Sequence, residues 1–356
     1  MMHGGDIYRN HVTLDFSVNI NPLGIPDSVK KAMLEAVEQC TCYPDIRCAG
    51  LIKAIGSMTG ALEDQILCGS GASELFLAII HGLKPKKIVI PVPSFYGYEK
   101  AALACHADIV WYEMKKENGF CLDNTFLEHI PEDTDLLFLA NPNNPVGNLL
   151  KPNFLEQLIR TCMKKKITVV LDECFIEFTE TGTQDSFLLR AEEFPNLIVV
   201  RAFTKIFAIP GVRLGYLVCG NKKWHQDIAR QLPEWNLSVF AQIAGAAAAR
   251  EMNYLERTIR HVKTERKYLS EELKKMGISV FPSTANYMMF YTEHLLFDQL
   301  LKKGILIRDC GNFRGLSNGY YRIAVKNRRE NTELIQAIGQ IIQKESRKCD
   351  GKDLIL

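Results

Sequence analysis

The chain has 356 residues, 47% of them hydrophobic and 24% charged, which excludes a largely disordered protein and, at about 150 residues per domain, suggests two domains. Forty-three Lys and Arg against 41 Asp and Glu leave a formal charge of +2, so there is no electrostatic reason to expect nucleic acid or an anionic membrane as partner. The 11 cysteines include no C-x-x-C pair, no signal-like segment opens the sequence, and the most apolar helical stretch (239–249) is too short to span a bilayer; reduced thiols in a cytoplasmic protein are expected.

In chain order, an extended segment over 14–20 leads into the turn Asn21-Pro22-Leu23-Gly24. Val29, Met33, Leu34 and Val37 then recur at helical spacing over 26–40. Cys40, Cys42 and Cys48, in CTCYPDIRC, match no zinc spacing, and no metal is expected. Gly69-Ser70-Gly71 precedes a helix over 73–83, a place where backbone N–H groups can converge on an anion; an ordinary glycine turn reads the same way. Glu74 stands at the sixth position of G-x-G-x-x-G, so the dinucleotide fingerprint fails. Short apolar strands are predicted at 87–90, 108–112, 136–139, 168–171, 197–200 and 214–218, with a helix over 153–165 between two of them. This alternation predicts an α/β fold with a mainly parallel sheet and helices on both faces.

After about residue 237 the pattern changes. A long helical run to 276 precedes strands at 278–281, 287–291, 305–307 and 320–325 and a closing helix over 329–344, which reads as a smaller α+β domain. The expected division is 45–240 for the large domain, and 1–44 with 241–356 for the small one.

Three further stretches carry candidate chemistry. Asn141-Pro142-Asn143-Asn144-Pro145-Val146-Gly147 is a polar turn at the carboxyl end of a predicted strand, where α/β sheets place ligands; a rigid turn is the plain alternative. The strand 168–171 ends in Asp172 and Glu173, carboxylates that are either solvated caps or, if buried, need a cation or donors. Lys205 is flanked by Phe203, Ile206 and Phe207. Desolvation there would favour the neutral amine that forms an imine, whereas a surface lysine lying along apolar neighbours would look similar. Arg213 follows in PGVRLGY. Together, in the order anion cup, asparagine turn, aspartate, lysine and arginine, these residues supply what a pyridoxal 5′-phosphate (PLP) site requires.

With this set the sequence resembles the fold-type I PLP enzymes of the aspartate aminotransferase superfamily, from HGG at 3–5 to YYRIAV at 320–325. The resemblance implies a three-layer α/β/α cofactor domain with Lys205 as the catalytic lysine and Asp172 opposite the pyridine nitrogen. It implies that Asn144 bonds the ring O3′, that Phe95 of PSFYGY stacks on the ring, and that Ala72, Ser73, Thr204 and Arg213 hold the phosphate. Tyr43 of YPD resembles a tyrosine that reaches the neighbouring subunit's phosphate, which implies a homodimer. Phe175 departs from a tyrosine common at this place, leaving Asn144 as the main O3′ partner.

Two branches of the superfamily are similar. The general motifs match histidinol-phosphate aminotransferases, whereas HGG, DFSVNINPLG (15–24), TKIFAIPGVRLGY (204–216), ILIRDC (305–310) and YYR (320–322) resemble threonine-phosphate decarboxylases of cobalamin biosynthesis more closely. The second branch implies decarboxylation of L-threonine O-3-phosphate to (R)-1-aminopropan-2-yl phosphate. His3, Gly4, Asn19, Asn144, Arg308 and Arg322 would then contact a phosphorylated amino-acid substrate. The alternatives are 2-oxoglutarate-dependent transamination of histidinol phosphate and decarboxylation of serine phosphate, which is one methyl group smaller. A non-catalytic binding module is disfavoured because Lys205 is retained.

Overall fold

The computed structural model describes residues 4–350, with side chains through 345; His3 lies outside the described residues. Its strands in chain order are β1 (Leu14–Asp15), β2 (Ile66–Gly69), β3 (Lys87–Val92), β4 (Asp108–Glu113), β5 (Leu136–Ala140), β6 (Thr168–Asp172), β7 (Leu197–Ala202), β8 (Gly215–Cys219), β9 (Ser279–Val280), β10 (Tyr287–Tyr291), β11 (Ile305–Leu306), β12 (Arg308–Asp309) and β13 (Tyr320–Ala324).

Seven strands form one sheet in the order β2-β8-β7-β6-β5-β3-β4. Only β8 runs antiparallel to its neighbours; the other pairings are parallel. Strands β5, β6 and β7 are buried apolar runs, as expected where helices cover both faces. Alternation along them divides the side chains between two apolar clusters. Leu137, Leu139, Val169, Leu171, Leu197 and Val199 face one cluster, with helices Ala49–Thr59, Pro152–Lys164 and Val239–Ala248. Leu136, Phe138, Val170, Ile198 and Val200 face the other, with helices Ala72–Leu83, Gly97–Ala104 and Lys222–Ala229. The fold is therefore the three-layer α/β arrangement expected from the sequence.

A second sheet, β12-β13-β10-β9, is antiparallel and packs on helices Met252–Lys275 and Arg328–Asp350. Strand β1 pairs in parallel with β11, bringing the N-terminal segment beside this sheet.

Three local expectations change. The helix expected over 26–40 is α-helical only over Asp27–Glu35 and continues as tighter turns over Ala36–Thr41. The helical run expected over 237–276 is two helices, Val239–Ala248 and Met252–Lys275. The first is alanine-rich and packs in the large core; the second is amphipathic and bridges the two cores, with Tyr254 and Val262 in the large one and Leu269 and Leu273 in the small one. Strand β2 and helix Ala49–Thr59 were not anticipated. Among the described residues no helix is long and apolar enough to cross a membrane.

The chain leaves β3 for β4 on one side of the large sheet, and β5, β6 and β7 add on the other. The carboxyl ends of β3 and β5 thus flank a crevice where the strand order reverses, the position at which open α/β sheets bind ligands.

Candidate active site

A cavity of about 270 Å³ opens at these strand ends, between the large sheet and the small one. Its wall brings together Ala72, Ser73, Phe95, Asn144, Asp172, Thr204, Lys205 and Arg213 with Gly4, Asn19, Arg308 and Arg322, which are distributed over most of the chain. Of the cofactor- and substrate-binding candidates among the described residues, Tyr43 alone is not in it: it is 81% exposed, its ring 4.8 Å from that of Trp235; His3 lies outside the described residues.

The two carboxylates at the end of β6 separate by strand alternation. Asp172 turns to the cavity, where Oδ2 accepts from Tyr98 Oη at 2.6 Å and Oδ1 from the Cys174 N–H at 2.9 Å. Burial raises its pKa, and those two donors oppose the rise. Among the described residues it has no cationic partner, so a cation presented from the cavity would complete its environment. Glu173 turns the other way, onto Arg201 Nη2 at 2.9 Å, Ser186 Oγ at 2.6 Å and the Phe187 N–H at 2.9 Å; its role is structural.

Lys205 sits in the short helix Phe203–Ile206 at the end of β7. Loss of hydration, with Arg322 and then Arg213 nearby, lowers its pKa from 10.5 to about 8. A nucleophilic amine is therefore accessible close to neutral pH, as imine chemistry requires.

The anion cup is formed by backbone and one guanidinium. Gly71, at φ +82°, caps helix Ala72–Leu83 with no side-chain bond to the first N–H groups, leaving that terminus open to an anion. A Cβ on Gly71 would lie 2.6 Å from Arg213 Nη2, so the guanidinium rests directly against this backbone. Arg213 itself has φ 59°, a left-handed conformation unusual for a side-chain-bearing residue and typical of strained functional positions. Glu74, the residue that breaks the dinucleotide pattern, folds back to accept from the Ser70 N–H at 2.6 Å and from Asn236 Nδ2 at 2.8 Å.

The asparagine turn also divides its roles. Asn141 accepts from the Leu150 N–H, and Asn143 bonds Pro93 O and the Val146 N–H, both holding the loop. Asn144 reaches the cavity, where its Oδ1 accepts from Arg322 Nη1 at 2.5 Å, leaving its Nδ2 as the donor end. Arg322 also donates to Ser17 O at 2.8 Å, while its buried Nε and the buried Oδ1 of Asn19 have no partner among the described residues. Arg308 bonds Asp309 O and, at 2.8 Å, Asn312 Oδ1. Gly4 fits only without a side chain, since a Cβ would lie 2.4 Å from Ser17 O, and the next N–H, of Gly5, donates to Ser17 Oγ at 2.7 Å.

Sequence reasoning missed Tyr98, 1% exposed and stacked on Phe138 at 4.8 Å, although it carries the shorter of the two bonds to Asp172. The available signal was its position three residues after Phe95, one helical turn along PSFYGY; the two rings meet edge to face at 5.7 Å.

The arrangement can hold an aromatic ligand with an anionic group in the cup, a basic ring nitrogen at Asp172 and an electrophilic carbon at Lys205. Residues 12–338 match the family described as Aminotransferase class I and II. The chain is 33% identical over 355 residues to the threonine-phosphate decarboxylase of Salmonella typhimurium, covering 96% of each protein. It is 30% identical over 333 residues to the histidinol-phosphate aminotransferase of Methanocaldococcus jannaschii, covering 91% of this chain and 88% of that protein. Among solved structures it is similar to the histidinol-phosphate aminotransferase of Clostridium acetobutylicum, with a TM-score of 0.87 and 34% identity over 93% of this chain and 99% of that one.

Proposed function

The chain belongs to the aminotransferase class I and II family, whose cofactor is pyridoxal 5′-phosphate, and within it we propose that the protein decarboxylates L-threonine O-3-phosphate to (R)-1-aminopropan-2-yl phosphate in cobalamin biosynthesis. One observation carries the choice of an anionic substrate. Arg308 and Arg322 are direct partners across the β12–β13 pair, so two buried guanidinium groups share one face of the sheet at the cavity. Like charges placed so are destabilising unless an anion lies between them. A substrate bearing both a carboxylate and a phosphate supplies that anion, and planar guanidinium suits each group. Similarity to the Salmonella enzyme over nearly the full length of both chains supports the decarboxylase reading.

The residues present fit the cofactor: the open helix terminus against Arg213 accepts a phosphate, and Asp172 lacks the cation that a protonated ring nitrogen provides. Ala72, Ser73, Thr204 and Arg213 would hold the phosphate, Asn144 Nδ2 would donate to the ring oxygen, Phe95 would cover the ring, and Lys205 Nζ would supply the amine for the cofactor. When bound, the cofactor supplies an electron sink for the pair left behind as a bond to Cα breaks. Asp172, held between Tyr98 Oη and the Cys174 N–H, would keep the ring nitrogen protonated. Asn19, Gly4, Arg308 and Arg322, together with His3, orient the substrate so that the bond to its carboxylate is the one that aligns with the sink. Loss of carbon dioxide from that bond would leave Cα to be protonated, and Lys205 Nζ, in the cavity wall, is the group that would deliver the proton.

The expected result is carbon dioxide release from O-phospho-L-threonine by the PLP-loaded protein. Transamination of histidinol phosphate with 2-oxoglutarate is the second reading, favoured by the likeness to the Methanocaldococcus and Clostridium proteins. Robust transamination without carbon dioxide release would overturn the first in favour of the second.

The working unit is proposed to be a homodimer in which Tyr43 completes the neighbouring site. Its support is the exposure of Tyr43 with Val37, Ile46 and Trp235, large apolar side chains left uncovered on one chain. Mixing a Lys205→Ala chain with a Tyr43→Ala chain should restore activity, because hybrid dimers regain one intact site. A protein that sediments as a 40.3 kDa monomer, or a mixture that stays inactive, would reject this.

A further inference from the structure

We propose that Arg314 is a positioning residue: it ties the loop that orients Arg308 to the opposite wall of the cavity, and so sets the affinity for the anionic substrate. The proposal rests on the substrate class argued above.

The loop 310–319 joins β12 to β13, the strands that carry Arg308 and Arg322. It also supports Arg308 directly. Asn312 Oδ1 accepts from Arg308 Nη2 at 2.8 Å, and the Arg308 guanidinium lies over the Phe313 ring, 4.8 Å from its centre. The direction in which Arg308 presents its remaining donors therefore depends on where this loop sits.

The next residue fastens the loop to the large sheet. Arg314 Nη2 donates to Glu99 Oε1 at 3.2 Å, in helix Gly97–Ala104, and its guanidinium lies 4.1 Å from the centre of the Trp111 ring on β4. Glu99, Trp111 and Arg314 all line the cavity that holds Lys205, so the contact crosses its mouth between elements 215 residues apart in sequence. Gly315, at φ +81°, turns the chain back beside the Val92–Pro93 backbone at the end of β3.

Such a contact is poorly placed to stabilise the fold. The Arg314 side chain is 47% exposed and that of Glu99 28%, and ion pairs this accessible contribute little to stability. Its charge is matched by Glu99, unlike the buried pair Arg308 and Arg322, so Arg314 is not needed as an anion ligand. What the contact does is hold Asn312 and Phe313, and through them Arg308, in one place, which reduces the ordering required when substrate binds.

Arg314→Ala should raise KM for O-phospho-L-threonine about 5- to 10-fold while kcat stays within about twofold. The dissociation constant of the same ligand, measured by calorimetry in a Lys205→Ala background, should rise by a similar factor. Arg314→Lys keeps the charge facing Glu99 but loses planar stacking on Trp111, and should fall between. A Glu99→Gln/Arg314→Ala double variant should be no worse than Arg314→Ala alone, because both changes release the same tether. An unchanged KM in Arg314→Ala, a fall in kcat at constant KM, or additive effects of the two substitutions would overturn the proposal. If the unmodified protein binds none of O-phospho-L-threonine, O-phospho-L-serine and L-histidinol phosphate, the reading of the site falls and the tether with it. If it binds one of them and Arg314→Ala binds it equally well, the tether alone falls.

Discussion

Lys205→Met should abolish turnover and, in the cofactor-free protein, increase stability at neutral pH. The two effects have one cause. Lys205 is enclosed by the cavity wall beside Arg322 and Arg213, and its pKa falls from 10.5 to about 8. Between those values the unfolded chain holds a proton that the folded chain has released, so the lysine's contribution to stability improves as pH rises through this window. Below about pH 8 both states are protonated and the cost of burying the ammonium is paid in full; above 10.5 it has vanished. The drop corresponds to about 3 kcal/mol. Methionine fills similar space without charge and avoids that cost. Urea unfolding of the two apoproteins should therefore show the variant ahead by about 2–3 kcal/mol at pH 7, with the gap closing toward pH 10.5. A variant less stable than the parent at pH 7 would mean that Lys205 is not desolvated. Function moves the opposite way: without Nζ there is no amine to bond the cofactor, and borohydride should fix no pyridoxyl label. Stability is given up at this position for reactivity, a trade common where active sites hold unfavourable charges.

The parts of the site legible in the sequence share a property: each is fixed by local structure. Asp172 ends an apolar strand, Lys205 follows another, and Gly71 opens a helix, so periodicity and turn chemistry place the first two at strand ends and the third at a helix terminus. What was not legible depends on contacts between distant segments. Tyr98 looks like any buried aromatic in a short helix until β6 places Asp172 within 2.6 Å of its hydroxyl. The facing of Arg308 and Arg322 is a matter of strand register, which their spacing of fourteen residues leaves open. Residue type and position alone do not separate Glu173 from Asp172; the resemblance singles out Asp172, and the structure shows Glu173 turned onto Arg201. Among the elements, β2 escaped notice because it has four residues and ends in glycine at a sheet edge, a weak strand signal. The helical run beyond residue 237 is one periodic stretch in sequence because both of its parts carry helical periodicity, and the short break at 249–251 contains neither glycine nor proline to mark it.

Asp172→Asn is the second large effect, and the more informative about chemistry. The substitution preserves shape and can still accept from Tyr98, but it removes the negative charge proposed to face the ring nitrogen. That nitrogen would then lose its proton, and with it most of the electron-withdrawing power on which bond cleavage at Cα depends. Removing a preorganised electrostatic partner of this kind typically costs about 10²–10³ in kcat, and a loss of at least this size is expected here. Burial already raises the pKa of Asp172, and the two donors hold it in check. Tyr98→Phe deletes one of them, so the carboxyl should titrate at higher pH than in the parent. The protonated form is the inactive one, and the acid limb of the kcat/KM profile should therefore move upward, with about a tenfold loss near the limb and little change above it. Steady-state rates for both variants over pH 5–9 distinguish the roles: Asp172→Asn should be low at every pH, whereas Tyr98→Phe should recover as pH rises. An Asp172→Asn protein within tenfold of the parent would show that ring-nitrogen protonation is maintained by some other group. A Tyr98→Phe deficit independent of pH would mean that the phenol acts by packing against Phe138, where the rings stack at 4.8 Å, and not by holding the carboxylate ionised.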